Sequence, residues 1–443
     1  MDLIQYTSGP MDEHHHNTLT HTVPPRTSFS LTSILAGLFL TAAFLTAVLP
    51  HSALAAENST LERIHSLLGD GALLLRAPSG EELISIHPDR PLIPASILKI
   101  PTAQLAINVL GEDYRFETHF YTNDDDDLLI RGLGDPFLVS EEIALIATAL
   151  KEQGLNRVHR VVMDDSAFVT NLDLPSEANA RDPYAARNSA LAANFNTVNL
   201  AWNAAGELIS AEEQTPLTPL AQELGARLSP GEEERINLGS DPETNLQQAQ
   251  QLFQIFLRRE GIEVIDSAFY REPVSDEWTR LYQHSSSRSL RDNLEGMLLY
   301  SNNFIANQLF LTIAARREGY PVSAEVAREV LQKELATFYD DGEGFGSDST
   351  SLLMLEGSGL DRAQRSTANA MMTILENFKT HFDLLPESDD VFRKSGTLTG
   401  VYNYAGFIRN EDGLYPFVIL TSQAANHRDE ILRLLVSASR SAR

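Results

Sequence analysis

Prolines 91 and 94 stop abruptly ahead of Ala95, and an apolar helical pattern then runs through Ala103, Leu105, Ala106 and Val109 to Gly111. Ser96 is therefore expected at or just inside a helix N-terminus. Lys99, three residues on, shares its face and brings an amine within reach of the Ser96 hydroxyl. A nucleophilic serine needs such a base. Lysine fills the role only if its pKa falls from ~10.4 towards ~7 to 8, through burial and nearby positive charge. Arginine does not deprotonate in proteins and is no substitute.

Taken alone, Ser96-Ile97-Leu98-Lys99 reads best as a chance pair on an amphipathic helix. Two more motifs follow it in order, Ser301-Asn302-Asn303 and Lys394-Ser395-Gly396-Thr397. Together they match the S-x-x-K, S-x-N and K-[ST]-G set of serine acyl-enzymes. Lysine usage strengthens the match. Of 34 basic residues only five are lysines, leaving 29 arginines, yet lysine stands at both motif positions where the chemistry favours it.

The motifs assign roles. Ser96 attacks a carbonyl, Lys99 takes its proton, and Ser301 relays a proton to the departing amine. Asn303 holds Lys99 or the substrate amide. The backbone N–H groups of Ser96 and Thr397 form the oxyanion hole. Lys394, with the Ser395 and Thr397 hydroxyls, binds a terminal carboxylate, and Gly396 keeps the strand edge open to substrate.

The rest of the chain sets the frame. Its 443 residues exceed one ordinary core, so two domains are expected. Acidic residues outnumber basic ones by 61 to 34, which argues against nucleic acid or an anionic membrane surface as partner. With no cysteine, thiol catalysis, cysteine-based zinc sites and disulfides drop out. No metal or organic cofactor is implied.

Residues 31–49 form an apolar run followed by Ala53-Leu54-Ala55-Ala56, the shape of a signal peptide cleaved after Ala55. The n-region is long and its only basic side chain is Arg26, which leaves open a start at Met11 or an uncleaved anchor. The run His14-His15-His16 reads as low-complexity leader sequence.

A short helix is expected over 61–68 and a hairpin over 72–86 about Pro78-Ser79-Gly80. From Glu112 to about Gln283, strand-like runs alternate with helices, one beginning at Ser140 and another carrying Leu246, Ala249, Phe253 and Phe256. The acidic run 124–127 reads as a solvated turn. Beyond it come helices over 290–298 and 304–317, strands over 391–398, 404–408 and 415–420, and a final helix over 428–435. The expected division is a leader (1–55), a catalytic domain (56–111 with 284–443) and an inserted α/β region (112–283).

With these residues in place, the sequence resembles the class C penicillin-binding proteins, D-alanyl-D-alanine carboxypeptidases/endopeptidases of the penicillin-binding protein 4 type. Family-specific stretches carry the resemblance: Leu110-Gly111-Glu112-Asp113-Tyr114-Arg115-Phe116-Glu117-Thr118, Gly132-Leu133-Gly134-Asp135-Pro136, Asp164-Asp165-Ser166-Ala167-Phe168, Asn194-Phe195-Asn196 and Gly357-Ser358-Gly359-Leu360-Asp361-Arg362.

The resemblance implies an α+β fold with a transpeptidase-like antiparallel sheet flanked by helices; the exported, periplasmic location is the expectation set by the leader, with a membrane anchor if it is not cleaved. The resemblance also implies peptidoglycan stem peptides ending in D-Ala-D-Ala as substrate and β-lactams as covalent inhibitors. The separation of Ser301 from Ser96, 205 residues, is short for the family and suggests a reduced second inserted subdomain. Arg362, Asp165 and Phe168 are implied to recognise the diaminopimelate side of the stem. On the residues alone, a turn or cap role for Asp165 and a core role for Phe168 stand equally open.

Two positions depart from the family pattern, Ile100-Pro101 after the lysine and Glu356 where an aspartate usually precedes Gly-Ser-Gly. A β-lactamase or esterase on the same scaffold would need a deacylation base, and no E-x-x-x-N signal between the second and third motifs nominates one. A non-catalytic peptidoglycan-binding protein would have little reason to keep every proposed catalytic residue.

Overall fold

The computed structural model describes residues 49–175, 182–338 and 351–441. The leader run up to residue 48 and the histidine triplet lie outside the described residues. The described residues divide after Leu67 into two compact units. The expected helix at 61–68 is longer, spanning Leu49–Leu68. No described helix is long and apolar enough to cross a membrane.

The second unit is α+β. Its six-stranded sheet runs in the spatial order Glu387–Ser388, Val391–Leu398, Val401–Asn410, Gly413–Leu420, Ala72–Arg76, Glu82–Ile86. Every neighbouring pair is antiparallel. The expected hairpin forms about the 78–80 turn, closed by Ala77 N–H donating to Glu81 O at 2.8 Å. The register pairs Ala72 with Leu420 and Leu75 with Phe417, so the first and last strands of the unit meet at the centre of the sheet. Both faces of the central strands are buried, against the helices Ala368–Phe378 and Arg428–Ser441. The latter continues past the expected end at Leu435.

Two helices at the centre of the unit begin with the last residue of each of the first two motifs, Lys99 and Asn303. Lys99–Leu110 is buried from Lys99 through Ala106, and Asn303–Glu318 from Phe304 through Ala315. Helices apolar on all sides belong in a core, and these two pack against each other. Pro101 falls in the first turn of its helix, where a missing N–H costs little.

A five-stranded mixed sheet runs Thr279–Ser289, Arg115–Thr122, Leu128–Gly132, Arg157–Asp164, Glu263–Arg271. Its first two pairings are antiparallel and its last two parallel. The helices Ser140–Glu152 and Pro242–Arg259 supply its core, where the anticipated Leu246, Ala249, Phe253 and Phe256 meet Phe120, Ile130 and Ile146. Each such leucine, isoleucine or phenylalanine contributes about 1.5–3 kcal/mol on burial. A small sheet, Leu208–Ser210, Thr197–Trp202, Glu233–Asn237, packs on the short helix Pro219–Gly225.

The acidic run departs from expectation at one residue. Asp124, Asp125 and Asp126 are exposed, but Asp127 is buried and accepts from Arg160 Nε and Asn123 Nδ2, each at 3.0 Å. Burial pushes its carboxyl up, and the Arg160 and Asn123 bonds outweigh that and hold it below the usual range. Asp127 thus ties the turn to the neighbouring strand instead of facing solvent.

Candidate active site

Ser96 lies in a single 3-10 turn, Ala95–Leu98, that runs directly into the Lys99–Leu110 helix. Its N–H belongs to a first turn and has no partner within the helix. Ala95, just before it, is held at φ 49°, a left-handed conformation uncommon for a residue with a side chain. Such strain persists only where the surroundings enforce it, and here they do. Asn403, fully buried, donates through Nδ2 to Ile93 O at 2.9 Å and Pro94 O at 2.8 Å, while its Oδ1 accepts from Thr421 N–H at 2.8 Å.

Two glycines let the backbone close in on this turn. A Cβ at Gly359 would lie 2.1 Å from Ala95 O, and one at Gly396 would lie 2.7 Å from Pro94 O. The Gly357-Ser358-Gly359 stretch and the third motif therefore press directly on the segment bearing Ser96.

Lys99 is fully buried, and its Nζ lies 3.1 Å from Ser96 Oγ, 2.7 Å from Asn303 Oδ1 and 2.7 Å from Ser358 O. Burial, with the Lys394 charge nearby, holds the amine well below the usual lysine range, against an opposing pull from Glu356. A neutral amine has two hydrogens and one lone pair. Spending the hydrogens on the two nearer oxygens leaves the lone pair for the Ser96 O–H, the geometry a general base requires.

Asn303 heads its helix and also donates through Nδ2 to Tyr184 O at 3.1 Å, which fixes the amide so that its oxygen faces Lys99. Ser301 sits between the Leu290–Leu299 and Asn303–Glu318 helices at φ 54°. Its hydroxyl makes no hydrogen bond among the described residues, so it is placed in the turn without a fixed partner.

The third acceptor of Lys99 belongs to a loop built around Glu356. This buried carboxylate accepts from Ser358 N–H at 2.7 Å, Ser358 Oγ at 2.5 Å, Gly359 N–H at 2.7 Å and Gln364 Nε2 at 2.5 Å. The departure from aspartate noted in the sequence thus sits at the anchor of the loop that presents Ser358 O to the amine.

Lys394 to Thr397 occupy the strand Val391–Leu398, whose outer neighbour reaches only Val391 and Phe392. Arg393 N–H donates outward to Pro386 O at 3.0 Å. By the two-residue alternation of a strand, Ser395 and Thr397 also direct their N–H groups to that side, where no strand covers them. Thr397 N–H thus faces the open edge, as an oxyanion donor must. Lys394 is buried and donates to Ser395 O at 3.1 Å; burial, with Arg428 adjacent, pushes its pKa down to about 7.

The residues tied to the stem peptide by resemblance separate. Arg362 is exposed and donates to Thr399 O at 2.8 Å, beside the third motif. Asp165 accepts a bidentate pair from Arg271, 2.9 Å from Nε and 3.1 Å from Nη2. Phe168 is only 2 % exposed, bridges to Val322 and packs on Tyr320 and Gly134. For Phe168 the contact present is the core packing left open by the sequence; for Asp165 it is an ion pair, which neither the turn or cap reading nor the recognition reading anticipated.

Sequence reasoning passed over Asn403, Gln364 and Arg428. None stands in a motif; Asn403 and Arg428 act through partners remote in sequence, and Gln364 through Glu356 eight residues before it.

Comparison with known proteins follows from this geometry. The profile described as the D-Ala-D-Ala carboxypeptidase 3 (S13) family matches residues 61–223 and 230–386. The D-alanyl-D-alanine carboxypeptidase DacB of Haemophilus influenzae is 25% identical over 398 residues, 73% of this chain and 78% of the relative. The D-alanyl-D-alanine carboxypeptidase of Actinomadura sp. strain R39 is 24% identical over 426 residues, 80% and 77% of the two chains. The fold is similar to that of penicillin binding protein 4 from H. influenzae, with TM-score 0.68 at 19% identity, covering 86% of this chain and 99% of the other.

Proposed function

Since this chain belongs to the D-Ala-D-Ala carboxypeptidase 3 (S13) family, we propose that it is a serine D-alanyl-D-alanine carboxypeptidase acting on peptidoglycan stem peptides through an acyl-enzyme on Ser96. The observation that carries this reading is the Lys99 amine, buried, depressed in pKa and 3.1 Å from Ser96 Oγ.

Lys99 takes the Ser96 proton as Oγ bonds to the carbonyl carbon of the penultimate D-alanine. The developing oxyanion is met by the N–H groups of Ser96 and Thr397, each worth roughly 10²–10³ in rate. The C–N bond then breaks, and the leaving amine takes a proton by way of Ser301. Water hydrolyses the ester in the reverse sense. Cleavage of a D-Ala-diaminopimelate cross-link passes through the same acyl-enzyme and differs only in its leaving group.

Lys394, Ser395 and Thr397 receive the terminal carboxylate, Gly396 lets substrate approach the strand, and Arg362, exposed beside the third motif, is assigned to the diaminopimelate side of the stem peptide. We assign 56–111 with 284–443 to the catalytic domain and 112–283 to an insertion, a division that the membership of the two larger sheets supports except at 283/284, which falls inside the strand Thr279–Ser289 of the five-stranded sheet. Residues 1–55 act as an export leader, placing the enzyme in the periplasm, or membrane-associated where the leader is retained. β-Lactams, which carry a strained amide and a carboxylate, acylate the same serine.

Intact-protein mass spectrometry after incubation with benzylpenicillin tests this. A stable adduct on the native protein is expected, absent in Ser96→Ala and in Lys99→Arg, because arginine keeps its proton. Release of penicilloate without an adduct would indicate a β-lactamase. Neither adduct nor hydrolysis would indicate a non-catalytic binding protein.

A further inference from the structure

Arg428 opens the Arg428–Ser441 helix, more than thirty residues beyond the third motif, and no motif includes it. Its Nη1 donates to Thr397 Oγ1 at 2.6 Å and lies 3.4 Å from Gly396 O. The guanidinium carbon sits 4.6 Å from the Tyr404 ring centroid, and the Tyr404 hydroxyl donates to Asp429 Oδ1 at 2.8 Å. The stack and the Thr397 bond hold the fork at the open strand edge.

This cation is unpaired. In a chain with 61 acidic against 34 basic residues, Arg428 forms no ion pair among the described residues, and the neighbouring Asp429 is engaged by Tyr404. Its Nε is buried without a hydrogen-bond partner. A guanidinium with five donors that uses one nitrogen is set to receive an anion.

The Thr397 bond adds a second consequence. Since Thr397 Oγ1 accepts from Arg428, its own hydrogen is turned away and is free to donate to an incoming oxygen. Lys394, the other cation here, already donates to Ser395 O and is pushed down to about 7, so its charge fades above neutrality. Arginine keeps its charge throughout.

We propose that Arg428 is the specificity-determining cation of the carboxylate subsite, binding the C-terminal carboxylate of the substrate and orienting the Thr397 hydroxyl as a second donor to it. This rests on the acyl-enzyme reading of Ser96.

The test compares acylation of native protein, Arg428→Gln and Arg428→Lys by benzylpenicillin and by its methyl ester, with rates followed by intact mass. Loss of one charge-assisted contact predicts that the preference for the free acid over the ester falls about ten- to a hundredfold in Arg428→Gln. Arg428→Lys, which keeps the charge and loses the fork, should retain an intermediate preference. If Arg428→Gln fails to fold, as judged by thermal melting, the preference of Arg428→Lys decides, with a fall of about three- to tenfold expected. An unchanged preference, or equal loss toward both compounds, overturns the assignment while leaving the acyl-enzyme reading intact. No adduct on the native protein with either compound overturns that reading and this assignment with it.

Discussion

The carbonyl oxygen of Ser358 lies 2.7 Å from Nζ of Lys99, and the loop bearing it is folded around the Glu356 carboxylate. The base at the centre of the site therefore feels two opposed charges, Glu356 raising its pKa and Lys394 lowering it.

That opposition gives a pH test with two signs. Acylation needs the neutral amine, so its rate rises with pH through the Lys99 pKa. Glu356→Gln removes the charge that favours the ammonium, and the acidic limb should move to lower pH. Lys394→Met removes the charge that disfavours it, and the limb should move to higher pH. Each displacement is expected at up to about one unit. Acylation rate constants measured from pH 5 to 9 decide it, and shifts in the same direction would reject Lys99 as the titrating base.

Asn403 touches no reacting atom, yet it is tied to the two carbonyls just ahead of Ala95. Asn403→Ala should slow acylation about a hundredfold, because a displacement of roughly an ångström at the nucleophile is enough to do so. The loss should appear in the limiting acylation rate more than in the concentration dependence. A variant that acylates at the native rate would show that the strained turn holds itself.

Phe168 and Asp165 give a test of packing against recognition. Phe168→Ala should lower stability by about 3–5 kcal/mol through the cavity it leaves, read as a fall in melting temperature. Arg271→Ala, which strands the buried Asp165 carboxylate, should cost about 3 kcal/mol or more. An unaltered melting temperature together with lost discrimination among stem peptides would restore the recognition role drawn from the family resemblance.

What was legible in the sequence follows from where each constraint is local. Ser96 and Lys99 must share a helix face, and Lys394, Gly396 and Thr397 must alternate along a strand, so their spacings survive as readable patterns. The Leu246 to Phe256 stripe and the three C-terminal strands were readable for the same reason. Asn403 and Arg428 were not, because an asparagine in a strand or an arginine at a helix start looks like any other until distant segments are brought together. Asp127 was misread since its partner, Arg160, lies on another strand. Glu356 was noticed only as a departure from a family pattern, and nothing local announced that its carboxylate collects five hydrogen bonds.

The pairing of Ala72–Arg76 with Gly413–Leu420 carries a consequence for how the enzyme comes into being. During synthesis the hairpin at 72–86 and the Ser96 turn emerge early, but the strands that complete their sheet and supply Lys394 arrive on the order of three hundred residues later. Closing a loop of that length is a slow, late event in folding. Until it happens the nucleophile has neither its electrostatic neighbour nor its oxyanion edge, so an unfinished chain lacks an assembled site. The hairpin meanwhile exposes an unpaired strand edge open to aggregation, and that edge is where a folding helper would have most to do.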